Sequence, residues 1–140
     1  MGLSVIILAG GDGTRMKSSK PKVLHRLAGK SLLQHVYSAV NNLSVDQLII
    51  ICGSHMSVLQ QHLADQNIIW VEQKQRLGTG HAVQQALDKL NNGNQVLILC
   101  ADVPLINPNT LSDLLKATSF NQLGILTVDL VDPNGLGRIV

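Results

Sequence analysis

Short apolar runs of buried-strand length alternate along this chain with stretches whose apolar residues recur at helical spacing, and that alternation leaves few folds open. The runs are Ser4 to Leu8, Gln47 to Cys52, Ile68 to Val71, Val96 to Cys100 and Gly124 to Leu130. Largely apolar, they suit a sheet covered on both faces. Between them, Ser31 is placed to cap a helix facing the core through Leu32, Leu33, Val36 and Val40. Met56, Leu59 and Leu63 mark a second helix, and Ala82, Val83, Ala86, Leu87 and Leu90 a third. Asn107 and Pro108 open a fourth, burying Leu111, Leu114 and Leu115. Strands alternating with helices imply βαβ units, right-handed crossovers and a mainly parallel sheet, so the fold class is α/β, Rossmann-like.

The first run ends in LAGGDGTRM, Leu8 to Met16, with Lys20, Pro21 and Lys22 close behind. Gly10, Gly11 and Gly13 let backbone N–H groups turn toward an anion with no Cβ in the way, and Arg15 and Lys22 add positive charge. The loop reads as a phosphate cradle, with a plain strand-to-helix turn as the alternative. It is not a Walker A loop: the one Gly-Lys-Ser is Gly29 to Ser31, and Leu24 stands where that motif needs its first glycine. Nor is it a dinucleotide fingerprint, because Met16 occupies the third glycine position.

At 140 residues the length suits one domain. A net charge of +2 with no block of like charges, and three aromatic side chains in all, argue against nucleic acid as a partner. No apolar run approaches the roughly 18 residues of a membrane span, and the N-terminus lacks a basic n-region, so no membrane partner and a cytoplasmic location are expected. Cys52 and Cys100 show no metal spacing and read as reduced, buried thiols.

In a parallel sheet ligands bind beyond the carboxyl ends of the strands, and the unusual polar residues fall there. Asp102 follows the fourth strand. A carboxylate facing an anion loop makes most sense with a cation between them, and Mg²⁺ takes one or two protein carboxylates plus phosphate and water; the alternative is an Asp shaping the turn before Pro104. Gly78, Thr79 and Gly80 open the third helix, where N–H groups lack partners, or Thr79 is simply its N-cap. Gln73, after the third strand, offers donor and acceptor to a base edge, against the default of a Gln facing solvent. None of the five histidines matches a metal or triad spacing, and none is assigned catalysis.

Taken together and in order, LAGGDGTRM, PKVLH (Pro21 to His25), LAGKSLLQHV (Leu27 to Val36), QRLGTGHAV (Gln75 to Val83), DVPL (Asp102 to Leu105) and DPNGLGRIV (Asp132 to Val140) closely resemble the N-terminal uridylyltransferase part of the bifunctional N-acetylglucosamine-1-phosphate uridylyltransferase/glucosamine-1-phosphate acetyltransferase family. The resemblance implies that the sheet has strand order 3-2-1-4. It implies that Leu8, Ala9, Gly10 and Gly11 contact the nucleotide through the backbone, with Gly13 completing the loop. Arg15 and Lys22 match the family's phosphate-neutralising cations, and Gln73, Gly78 and Thr79 its uracil contacts. Cys100 and Ala101 adjoin Asp102, which matches a Mg²⁺ ligand, and Gly137 matches a glycine contacting the amino sugar.

The reaction so implied joins UTP and N-acetylglucosamine 1-phosphate into UDP-N-acetylglucosamine, a precursor for peptidoglycan and lipopolysaccharide, and pyrophosphate. The family's domain continues with further sugar contacts and a second Mg²⁺ ligand, so residues 1–140 are expected to form its nucleotide-binding portion and to be inactive alone. No hexapeptide repeat of an acetyltransferase β-helix domain is found here. Asp12 in the loop and Ala101 before the aspartate depart from the family pattern. A transferase for another base or sugar, a short non-catalytic nucleotide binder and a homo-oligomer stay open.

Overall fold

The computed structural model describes residues 2–11, 13–137 and 139; Asp12, Arg138 and Val140 lie outside them. In chain order the elements are β1 (Leu3–Leu8), β2 (Arg26–Leu27), β3 (Lys30–Ser31), α1 (Leu32–Val40), β4 (Gln47–Cys52), α2 (Met56–Leu63), β5 (Ile68–Glu72), α3 (Thr79–Gln84), β6 (Gln95–Cys100) and α4 (Pro108–Ala117). The main sheet runs β5-β4-β1-β6 with every pair parallel, which is the expected order 3-2-1-4.

The unbroken apolar strands follow from a core on each face. Side chains alternate along a strand, so Val5, Ile7, Leu48 and Ile50 meet α1, α2 and α4, whereas Ile6, Ile49 and Ile51 meet Ala82 and Ala86 around α3. The second layer is lined by alanines, which lets α3 approach the sheet closely.

Two helix starts, those of α1 and α4, carry a side-chain cap. Ser31 Oγ accepts from the Gln34 N–H at 3.0 Å while Gln34 Oε1 accepts from the Ser31 N–H at 2.9 Å, a complete capping box. Asn107 Oδ1 accepts from the Asn109 N–H at 2.9 Å, with Pro108 at the first helical position. Gly29-Lys30-Ser31, the false Walker motif, belongs to a small hairpin between β2 and β3 whose turn residues Ala28 and Gly29 have φ of 48° and 85°, the positive pair a type I′ turn requires.

Four expectations are corrected. The run Gly124 to Leu130 is not a strand: residues 121–132 are exposed and make no ladder. Strand propensity cannot create a partner, and without one the backbone stays solvated. The third helix stops at Gln84 rather than reaching Leu90, and Leu87 is 58% exposed. There the Gln47 side chain donates to Lys89 O at 2.7 Å and accepts from the Asn91 N–H at 3.1 Å, holding the chain on a separate 3₁₀ turn, Leu87–Lys89.

β6, read as fully buried, is an edge strand with Leu97 buried but Val96 and Ile98 exposed. In α4 only Leu111 is fully buried, Leu114 and Leu115 packing partly against the core. The DPNG turn is present: the Leu136 N–H donates to Pro133 O at 3.1 Å, and Gly135 takes φ of 79°.

Candidate functional site

Three backbone hydrogen bonds extend the sheet by one residue at its carboxyl edge. The Ala9 N–H donates to Ile51 O at 2.7 Å, the Gln73 N–H to Cys52 O at 2.8 Å and the Ala101 N–H to Leu8 O at 3.0 Å. Ala9, Ala101 and Gln73 are buried. At that edge the glycine loop, the start of α3 and the end of β6 line a cavity of about 720 Å³, within the usual range for small-molecule sites.

Gln73 is not solvent-facing. At 6% exposure, its amide donates to Gly78 O at 3.1 Å and to His81 Nδ1 at 3.0 Å, tying the Gly-Thr-Gly turn to the sheet. The amide oxygen points toward Gly10, where a Cβ would stand 3.2 Å from it. Gly78, at φ 102°, occupies the N-cap of α3, so Thr79 is the first helical residue and not the cap.

Gly13 has a separate reason for lacking a side chain. At φ 60° it lies under the Lys22 stem, and a Cβ there would come 2.6 Å from Lys22 Cβ. Lys22 in turn reaches across to Asp102, Nζ to Oδ2 2.6 Å. The two residues are 80 positions apart in sequence, so the fold alone brings this pair together. Next to it the Cys100 thiol is pushed up in pKa, first by burial and then by the Asp102 charge, with Lys22 pulling it back.

Of the residues singled out from sequence, Leu8, Gly10, Gly11, Gly13, Arg15, Lys22, Gln73, Gly78, Thr79, Cys100 and Asp102 line the cavity, whereas Ala9 and Ala101 are buried and do not line it. Gly137 does not line it and sits on the exposed segment after the DPNG turn. Sequence reasoning passed over Arg76, which lines the cavity with its guanidinium packed over Gly53. Its signal was present inside QRLGTGHAV, two residues before Gly78. Gly53, read only as the end of a strand, is what admits the guanidinium: a Cβ there would be 3.0 Å from Arg76 Nη2.

Arg15, Lys22 and Arg76 against Asp102 leave the described lining net positive, which favours a polyanion. Among the described residues no three His, Cys, Asp or Glu side chains cluster as a metal centre. A lone carboxylate at a cavity edge suits Mg²⁺, which draws its remaining ligands from phosphate and water, and does not suit zinc.

Residues 5–131 match the MobA-like NTP transferase domain family. The chain is 49% identical over 138 residues to the bifunctional protein GlmU of Saccharophagus degradans, covering 99% of this chain and 31% of that protein. The chain thus spans about a third of the length of the curated relatives it matches. Among solved structures, Rv0371c of Mycobacterium tuberculosis superposes with a TM-score of 0.73 at 20% identity, over 83% of this chain and 59% of that one. Its manganese complex gives 0.70 at 20% identity over the same shares. At such identity the likeness concerns the fold.

Proposed function

We propose, from the premise that this chain belongs to the MobA-like NTP transferase domain family, that its cavity holds UTP and serves UMP transfer to N-acetylglucosamine 1-phosphate, giving UDP-N-acetylglucosamine and pyrophosphate. One observation carries the reading: the glycine loop, the Gly78–Thr79 turn with Gln73, and the Lys22–Asp102 pair surround a single cavity. The identity to GlmU along nearly the whole chain supports the choice of substrates.

Both reactants are anions, so the site must offset repulsion and align an in-line displacement, which positioning and fixed charge accomplish without a covalent nucleophile. Gly10 and Gly11 expose backbone N–H groups to the phosphates. Arg15 and Lys22 neutralise charge as the α-phosphorus is attacked. Gln73 and the Gly78–Thr79 turn hold the base, with Gln73 pinned by Gly78 and His81 so that the turn cannot drift. Asp102 is the residue that would hold Mg²⁺, which when bound supplies charge neutralisation on the phosphate oxygens. That a fold neighbour forms a manganese complex supports a divalent cation for this chain as well.

In this reading residues 1–140 form the nucleotide-binding portion of the transferase domain, the amino-sugar contact at Gly137 belongs to its acceptor side, and the setting is cytoplasmic supply of cell-wall precursor. No helix among the described residues is long and apolar enough to cross a membrane.

Calorimetry with UTP, CTP, ATP and GTP in Mg²⁺ tests the assignment. UTP should bind tightest, with Gln73→Ala weakening it by about tenfold, the scale of a lost hydrogen bond to a buried group. Equal binding of CTP and UTP would remove uracil recognition from the proposal.

A further inference from the structure

The ion pair between Lys22 and Asp102 joins the two groups that the proposed function assigns to different parts of the substrate. Resting on that reading, we propose that Lys22 is a latch on Asp102: without ligand its ammonium occupies the carboxylate that a divalent cation needs, and a phosphate drawing Lys22 away frees Asp102, so that cation and nucleotide bind as one.

The geometry carries it. Nζ sits 2.6 Å from Oδ2 with the two side chains 31% and 40% exposed, so the pair is water-accessible and readily exchanged, the regime in which ion pairs are weak. Among the described lining residues Asp102 is the one carboxylate, and it is the one that Lys22 pairs with. Gly13 lies against the Lys22 stem so closely that no Cβ fits. That contact fixes the base of the side chain while leaving its ammonium to swing between carboxylate and loop.

Charge makes the exchange directional. A free divalent ion approaching Asp102 meets the ammonium at short range and is repelled by it, as any two positive charges are. A cation arriving with a nucleotide brings the anion that removes Lys22. Metal and nucleotide must therefore bind with positive coupling, and by linkage each raises the affinity of the other equally.

The test titrates Mn²⁺ into the ¹⁵N-labelled 140-residue chain and follows paramagnetic broadening of the Asp102 and Val103 amides, a readout independent of turnover. Lys22→Met, which keeps the stem and removes the charge, should lower the Mn²⁺ concentration for half-maximal broadening by about fivefold or more, as expected for removing a like charge beside the ion. Lys22→Arg should stay within about twofold of the wild type, because the positive charge remains. Adding UTP should tighten Mn²⁺ in both proteins, because phosphate oxygens bind the ion directly, and by a larger factor in the wild type, where the phosphate also displaces Lys22. Lys22→Gln repeats the measurement should the Met variant fail to fold.

Equal Mn²⁺ midpoints for wild type and Lys22→Met would overturn the latch. So would broadening that survives Asp102→Asn, since the ion would then sit elsewhere. If UTP does not bind but the metal-alone arm gives the expected difference, the latch holds and it is the assignment of UTP that falls.

Discussion

Ser31 shows how much one hydroxyl can organise. Its Oγ accepts from the Gln34 N–H at the start of α1 and lies 2.9 Å from His62 Nε2 on α2. Burial first, then the charges of Arg26 and Lys20, hold the His62 pKa below its ordinary 6.5. The folded state thus favours neutral His62, so this contribution to stability is full above pH 6.5 and is lost as pH falls through the lowered folded value. Ser31→Ala should cost about 1–2 kcal/mol in urea unfolding through loss of the cap, and an NMR titration should show the His62 pKa moving. No movement would mean that the hydroxyl does not hydrogen-bond the ring.

The thiols separate in the same way. Burial raises Cys52 to about 11, and Cys52 is fully buried as the sequence suggested, whereas Cys100, expected to be buried too, is exposed at the cavity because it ends an edge strand. Iodoacetamide at pH 8 should modify Cys100 first and reach Cys52 only after unfolding, and a bound nucleotide should slow the Cys100 reaction. Equal rates in the folded protein would contradict this placement. Both residues were visible in the sequence, as were the glycines and Asp102. What it could not display was the partner of each: the burial of Gln73, the Lys22–Asp102 pair and the guanidinium over Gly53 all arise across loops.

Between elements, the contrast is central strand against edge strand. β4 (QLIIIC) and β6 (QVLILC) read almost alike, yet β4 is buried throughout and β6 alternates between buried and exposed. Ile50→Ala in β4 should cost about 2–5 kcal/mol by transfer and cavity formation, while Ile98→Ala, at a side chain 47% exposed, should cost less than about 1 kcal/mol. Chemical denaturation measures both, and similar losses would mean that β6 is covered in solution. Strand existence was legible from the run of apolar residues; edge or centre was not, because that depends on what lies on the far side. The early end of α3 has a similar cause, since the side chain holding the turn comes from Gln47 on β4.

For the whole molecule, the sheet with its flanking helices contrasts with the segment after α4. Residues 121–132 are exposed and carry no regular structure, so limited proteolysis should cut there first and leave a core containing β1 to α4. First cleavage inside the glycine loop instead would mean that the loop is the weaker part. Catalysis is a whole-molecule property as well: in the proposed reading this chain alone should release negligible pyrophosphate from UTP and N-acetylglucosamine 1-phosphate, because among the described residues a single carboxylate lines the cavity and Gly137 stands outside it, which leaves the reactants loosely aligned, and small misplacements cost orders of magnitude. Robust turnover would overturn that geometry. By itself the sequence determined the α/β class, the helix caps, the glycine loop and the edge at which its polar residues collect, because these depend on periodicity and local backbone preference. The tertiary structure decided which strand is an edge, that Gly124 to Leu130 finds no partner, and that Lys22 meets Asp102, because pairing and burial depend on residues far apart in sequence that no local pattern encodes.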